Sequence, residues 1–389
     1  MKQGFLLLSF LAFVSSAFAA APEFDVYVYG NHVFDEAAII QMSGINQNPK
    51  LSAEQVRKHL QTTSLFEDIE VEKDEAAMII IVHEKTTWFV LPYFSSDQQT
   101  TIYGAAAGKA GILGQDVSLL ARYQMGNDDQ EGSALLRDEF FMNSRWILGG
   151  SFDYEDSKHK LFVGRDVVNR LANRYYGGSF QTGYHFRPDL ILGFNTYIEQ
   201  HSFQELDGHA TTGLQVTHRI KFDLGTLFNN EGLIKGARFT PYFETGNPVS
   251  DFQFRKYGLA AEMGLFLHGD FNWIMSPRFE ASAATPRYQL FELGGGMSLR
   301  GFETQEFRDS RYFMVSNDFL LTAFDVWKLK VRPLVFTDWA YIQNSGRTDV
   351  GVGLQVFFRT VAVPAVQVFG GWGFNPDGFS FSAAIGPQF

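Results

Sequence analysis

The sequence predicts an all-β transmembrane barrel of about sixteen antiparallel strands, preceded by one small α/β domain of order β-α-α-β-β. Three observations predict it. From Thr87 onward apolar and polar residues alternate in short segments separated by Gly, Asn, Asp and Pro, without helical stripes. The 389 residues include 40 Phe, 15 Tyr, 6 Trp and 37 Gly, so the apolar content is aromatic and interrupted rather than aliphatic and continuous. The chain also opens on an export-type leader and closes on an aromatic, Phe389. Composition removes other classes. The absence of cysteine excludes a disulfide scaffold, a thiolate metal site, a cysteine nucleophile and a lipoprotein anchor. With 32 Lys+Arg against 43 Asp+Glu, the net charge of −11 argues against nucleic acid as a partner.

The leader comes first in the chain. Met1-Lys2 gives a positive start, Phe5 to Val14 is apolar but for Ser9, and Ala17-Phe18-Ala19 offers a small-x-small cleavage site. Residues 1–19 therefore read as a signal peptide. The run is shorter than the roughly 20 apolar residues of a spanning helix, and no later run reaches that length. An exported chain of this kind is either soluble or enters a membrane as a barrel.

Residues 23–85 carry the α/β pattern. Phe24 to Tyr29 alternates and meets the turn Gly30-Asn31; Asp35-Glu36 opens a short helix closed by Gly44. Ser52-Ala53-Glu54 starts a second helix whose apolar face is Val56 and Leu60, followed by Leu65-Phe66. Ile69 to Glu72 alternates, Lys73-Asp74-Glu75 turns, and Met78 to Val82 reads as a buried strand. Gly30-Asn31, Leu65-Phe66 and Val82-His83-Glu84 make this stretch resemble the POTRA (polypeptide-transport-associated) module. The resemblance implies a periplasmic docking surface whose strand edge accepts an extended client, or a spacer that orients the barrel.

Residues 87–389 supply the strands. In 237–244, Ala237, Phe239, Pro241 and Phe243 form one face, and Arg238, Thr240, Tyr242 and Glu244 the other. Val350, Val352, Leu354, Val356 and Phe358 likewise oppose Asp349, Gly351, Gly353 and Gln355, and Phe379, Phe381, Ala383 and Ile385 oppose Ser380, Ser382, Ala384 and Gly386. Apolar-out and polar-in is the dyad of a membrane barrel; a soluble sandwich inverts the faces. Seventeen segments alternate, of which 160–168 is the weakest, and its removal leaves the even number expected of a bacterial single-chain barrel. Phe389, in phase at the end of the last segment, resembles the C-terminal targeting signal of such barrels.

Gly294-Gly295-Gly296-Met297-Ser298-Leu299-Arg300-Gly301-Phe302 lies between the segments 271–284 and 311–323. Leu299-Arg300-Gly301-Phe302 resembles the (V/L)RG(F/Y) signature of the BamA superfamily, also called outer membrane protein 85. Asn317-Asp318 stands where that family has Asn-Glu, and Phe336-Thr337-Asp338 resembles its Phe-x-Asp. The resemblance implies a sixth extracellular loop folded into the lumen, with Arg300 docked on Asp318, Asp338 and the face of Phe336. A guanidinium both forks onto carboxylates and stacks, so the constellation reads as a structural clamp rather than a catalytic site. The chain departs from the family at Asp318, whose shorter reach predicts a water-bridged contact, and at Ala340 in place of glycine. Gly111-Ile112-Leu113-Gly114 resembles the family's Asn-Leu-Leu-Gly turn before the third strand.

The seam follows from proline. Pro92 lies in the first strand and Gly386-Pro387 in the last, and each proline removes a ladder donor. A seam with few hydrogen bonds reads as a lateral gate that templates a client strand, as the family resemblance also implies; prolines tolerated at strand ends are the other reading. No enzyme motif occurs, and His201, His209 and His218 lack metal-ligand spacing, so no cofactor and no catalysis are expected. The resemblance implies an outer-membrane protein with its POTRA in the periplasm, inserting or translocating client proteins. The expected partners are outer-membrane lipid, a client polypeptide, and a periplasmic chaperone or accessory protein at the POTRA. The alternatives are a passive outer-membrane channel with a vestigial POTRA and an adhesin-like surface barrel. An adhesin calls for long extracellular loops, and the longer candidates, 126–131 and 200–209, are modest.

Overall fold

The computed structural model describes residues 25–385 except 64, 75–76, 97–100, 128, 207, 231–232, 269–270, 297, 328 and 359–363. The leader of residues 1–19 and the terminal Gly386, Pro387 and Phe389 lie outside the described residues. The N-terminal domain contains β1 (Asp25–Tyr29), α1 (Glu36–Ser43), α2 (Ala53–Thr62), β2 (Phe66–Lys73) and β3 (Ala77–Glu84). The sheet order is β1-β3-β2, with β1 parallel and β2 antiparallel to the central β3. This order and arrangement are consistent with a POTRA module.

Sequence signals account for its elements. Ser52 and Gln55 form a reciprocal capping box that starts α2, and Gly44 ends α1 at φ 77°, where a side chain would be strained. Both helices cover the same face of the sheet. Met78, Ile80 and Val82 are therefore fully buried against Ile39, Val56 and Leu60, while Ile79 and Ile81 on the open face are only half-buried. The strand expected to be buried is thus buried on the face that the helices cover, and its other face is half-open. Glu84 closes the module by accepting hydrogen bonds from the backbone N–H groups of His32, Val33 and Phe34 at 3.0, 2.7 and 3.0 Å.

The rest of the chain is a closed antiparallel barrel. Its strands are β4 (Trp88–Ser96), β5 (Thr101–Lys109), β6 (Val117–Gly126), β7 (Asp129–Asp138), β8 (Trp146–Val163), β9 (Asp166–Arg187), β10 (Leu190–Gln204) and β11 (Ala210–Asn230). They continue as β12 (Leu233–Gly246), β13 (Arg255–His268) and β14 (Phe271–Ala283), then β17 (Arg311–Leu320), β19 (Leu329–Ile342), β20 (Ser345–Phe358), β21 (Pro364–Phe374) and β22 (Gly378–Ile385). Between β14 and β17 a small hairpin, β15 (Phe291–Leu293) with β16 (Phe307–Asp309), belongs to the long loop 284–310. A three-residue strand, β18 (Phe324–Val326), pairs beside β19. Among the described residues sixteen long strands thus close the barrel, and the weak segment 160–168 is the tip joining β8 to β9. The loops 126–131 and 200–209 are shorter than expected because β7 starts at Asp129 and β10 runs to Gln204. The real projection is the β8–β9 hairpin, whose strands of 18 and 22 residues far exceed the 9–11 a bilayer requires.

Burial distinguishes the barrel from a sandwich. Outward side chains are large and apolar, such as Phe152 at 56% exposure and Val352 at 63%, whereas Gln215, Thr217, Glu244 and Asp349 on the inner face are buried. Exposed apolar area on this scale needs lipid to cover it. One part of the lumen departs from the wet interior that the dyad predicts. There Leu293, Leu299, Phe302 and Phe307 of the long loop pack on Tyr312, Met314, Ala340 and Ile342 of the wall, forming an apolar core inside the barrel.

The turns 110–116 and 139–145 meet the N-terminal domain at one end of the barrel. Asp35 N–H donates to Gly114 O at 2.7 Å, Gln41 Nε2 to Ser144 O at 3.2 Å and Arg145 Nη2 to Gln47 O at 3.4 Å. Gly114 sits at φ 76°, and an added Cβ would lie 2.4 Å from Asp35 Oδ1, so glycine is required by both conformation and contact.

Candidate functional site: the lumen loop and the closing strands

Loop 284–310 turns back into the barrel on glycines. Gly294 and Gly295 adopt φ 116° and 89°, and Gly295 N–H is shared between Leu299 O at 3.2 Å and Phe302 O at 3.1 Å. This tight turn presents Arg300 to the wall made by β17, β19, β20 and β21. Alternation along β19 sends Phe336 and Asp338 inward, with Arg332 on the same buried face, and leaves Val335 and Trp339 exposed outside. The register sets Asp318 of β17 opposite Phe336, and Asp338 opposite Asp349 of β20.

Arg300 is 6% exposed, and each of its three side-chain nitrogens meets a carboxylate. Nε and Nη2 fork onto Asp338 at 2.9 and 2.7 Å, its backbone N–H reaches the same carboxylate at 3.2 Å, and Nη1 pairs with Asp318 at 2.6 Å. The guanidinium carbon lies 3.9 Å from the centre of the Phe336 ring and 5.4 Å from that of Phe369. The water-bridged contact expected for Asp318 is thus replaced by a direct one: the loop seats Arg300 deep enough for the shorter side chain. Ala340, which departs from the family glycine, is fully buried in the apolar core beside the site.

The neighbouring motif residues fill adjoining space. Gly301 N–H donates to Asp349 Oδ2 at 3.0 Å, and a Cβ at Gly301 would lie 2.6 Å from Asp349 Cβ and 2.7 Å from Gly373 N. Only glycine brings the loop backbone this close to the wall. Leu299 and Phe302 are fully buried, Phe302 edge-on to Phe307 with ring centres 5.0 Å apart. Two participants escaped sequence reading. Asp349 was visible as a lumen-facing carboxylate, yet nothing marked it as a partner of the loop. Arg165, at the tip of the β8–β9 hairpin, crosses the mouth and donates through Nη2 to Gly301 O at 3.2 Å, with Glu303 and Glu306 each at 3.9 Å. No spacing connects position 165 to position 301.

Beside the loop, a cavity of about 700 Å³ is lined by Arg122, Glu131, Glu155, Glu199, Arg219 and Lys256, among other polar groups. Its charges are largely matched: Arg122 lies 3.3 Å from Glu131, Arg219 pairs with Glu244, and His201 bonds Glu199 at 2.9 Å. His218 bonds Thr196 and Asn247, and His209 lies in the β10–β11 loop. Among the described residues no group of three His, Cys, Asp or Glu is placed to hold a metal ion.

The seam joins β22 to β4. Among the described residues its ladder is Ala383↔Ser96, Ala384↔Ser95 and Ile385↔Phe94, whereas β4 pairs with β5 along its whole length. Pro92 sits within β4, opposite Ala105 on the β5 side, and contributes no N–H to either neighbour.

Residues 112–374 match the family model described as the Omp85 superfamily domain. The fold is similar to that of BamA from Haemophilus ducreyi lacking POTRA domains 1-3, at 12% identity and a TM-score of 0.60, covering 94% of this chain and 85% of that one. It is also similar to CdiB from Escherichia coli (12% identity, TM-score 0.65, 94% and 76% covered) and CdiB from Acinetobacter baumannii (12%, 0.61, 94% and 74%). At this identity the likenesses speak for the fold alone. No curated protein sequence matches the chain.

Proposed function

Because the chain belongs to the Omp85 superfamily of outer-membrane β-barrels, we propose that it inserts or translocates client polypeptides at the outer membrane, with its α/β domain a single POTRA on the periplasmic side. In this reading the Arg300 constellation clamps loop 284–310 inside the barrel, and the β4–β22 seam is the gate. The observation that carries it is the three-pair described ladder at that seam, against complete pairing between β4 and β5. A strand edge released there would pair with an extended client through main-chain hydrogen bonds. The outer edge of β1, bearing exposed Tyr27 and Tyr29, offers a client or accessory protein a second edge of the same kind.

The passive-channel reading draws support from the charged cavity in the lumen, and one experiment separates the two. The chain has no cysteine, so Ser96→Cys with Ala383→Cys, register partners across the seam, forms a clean disulfide lock. A working gate predicts a reductant-reversible loss of outer-membrane or secreted proteins in cells carrying the locked protein. Unchanged protein levels with persistent conductance across planar bilayers would leave the channel reading in its place.

A further inference from the structure

Away from the lumen, a groove of about 540 Å³ lies between α2 and the outer surface of the barrel's domain-bearing rim, lined by Leu51, Lys58, His59, Phe186, Arg187 and Phe228, among others. Its barrel side continues the outward apolar rows. Phe186 follows exposed Tyr176 and Phe180 along β9, and Phe228 follows exposed Ile220, Phe222 and Leu224 along β11, each in even register. Its other wall is the polar face of α2. Lys58 makes one ion pair there, 3.4 Å from the half-exposed Glu54, and Arg187 meets Asp189 at 3.1 Å while remaining 67% exposed. The groove therefore sits at the level of the β9–β10 turn, where lipid-facing strand gives way to domain, and offers an apolar floor beneath two exposed cations, with the Asp189 carboxylate beside Arg187.

We propose that this groove binds the headgroup end of one inner-leaflet phospholipid, its phosphodiester between Lys58 and Arg187 and its acyl chains along Phe186 and Phe228. Charge complementarity and continuity with the lipid-facing belt select this occupant. A soluble anion would leave the floor uncovered, and a hydrocarbon alone would make no use of Lys58 and Arg187, whose ion pairs with Glu54 and Asp189 leave both cations half-exposed or more. The proposal rests on the outer-membrane placement argued above and requires no client.

The test is native mass spectrometry of the purified full-length protein, released from detergent micelles and titrated with dioleoylphosphatidylglycerol. We expect one retained lipid, an affinity lowered about tenfold in Lys58→Gln/Arg187→Gln, and no displacement by excess sn-glycerol 3-phosphate. Equal retention by the double variant, with the barrel still folded by heat-modifiable migration, overturns the proposal. Displacement by glycerol phosphate overturns it too, by assigning the groove to a free phosphate ester. Should the double variant not fold, Lys58→Gln alone, an exposed change on α2, is judged by the same retention. Lipid retention by a protein that fractionates outside the outer membrane would support the groove and count against the localisation, so the two readings fail separately.

Discussion

Arg300 carries three kinds of interaction in one buried side chain: a fork to Asp338, an ion pair to Asp318 and a stack on Phe336. Removing it leaves two carboxylates facing each other without a cation, a loss of about 3–5 kcal/mol for a broken buried pair. Arg300→Ala is expected to free loop 284–310, measured as surface-protease cleavage within the loop and reduced folded migration. Arg300→Lys keeps the charge but gives up the fork and much of the stacking, and should fall between the two. Protection of the loop in Arg300→Ala equal to that of the parent would show that the apolar core around Leu299 and Phe302 suffices. This site was legible because four consecutive residues and two downstream aspartates hold fixed places in strand order. Asp349 was not, since a lone lumen-facing aspartate is indistinguishable in sequence from one that meets water.

Alternation specified the elements well, because lipid outside and polar groups inside impose the same period on every strand. Strand length was less legible, since the alternation continues where β8 and β9 rise past the bilayer, and the turn at Gly164-Arg165 interrupts a run that otherwise resembles a separate strand. At roughly 3.3 Å per residue the 22 residues of β9 reach on the order of 70 Å, against about 30 Å of hydrocarbon core. The surplus lets Arg165 reach Gly301, and an added Cβ on Gly378, the first residue of β22, would lie 2.2 Å from its Nη1. Replacing Arg165 by Ala is expected to loosen the hairpin tip by about 1 kcal/mol or less, seen as faster cleavage within 160–168 with folded migration unchanged. If the cleavage rate stays at the parental value, the tip is held by its own strands.

At the scale of the whole molecule, the two folded parts meet through turns whose glycines were visible in the sequence but whose purpose was not. Gly111 and Gly114 resembled a family turn; their closeness to Val33 and Asp35 is a property of the assembled protein. Behind that turn, burial pushes the Asp116 carboxyl up to about 7, with Glu139 and Asp138 adding like charge. Glu139 is partly buried, yet His185, 3.7 Å away, and Arg137 at 2.7 Å hold it at about 2. The folded protein keeps a proton on Asp116 that the unfolded chain releases, so this group's contribution to stability declines as pH rises from about 4 to about 7. Asp116→Asn should raise the melting temperature at pH 8 and leave it nearly unchanged at pH 4. A shift of equal size at both values would assign the effect to packing instead of titration.

The loop's wall has a direction in the chain. Asp318, Phe336, Asp338, Asp349 and Gly373 all follow Arg300, and the bonds from Arg300 to Asp338 and from Gly301 to Asp349 span 38 and 48 residues. Ring closure between β4 and β22, by contrast, joins positions nearly a whole barrel apart. Loop-closure entropy favours the shorter spans, so the loop and its last strands are expected to organise as one nucleus before the ends of the barrel find each other. Assembly then proceeds around a loop already in place, and no step has to thread it into a finished cylinder.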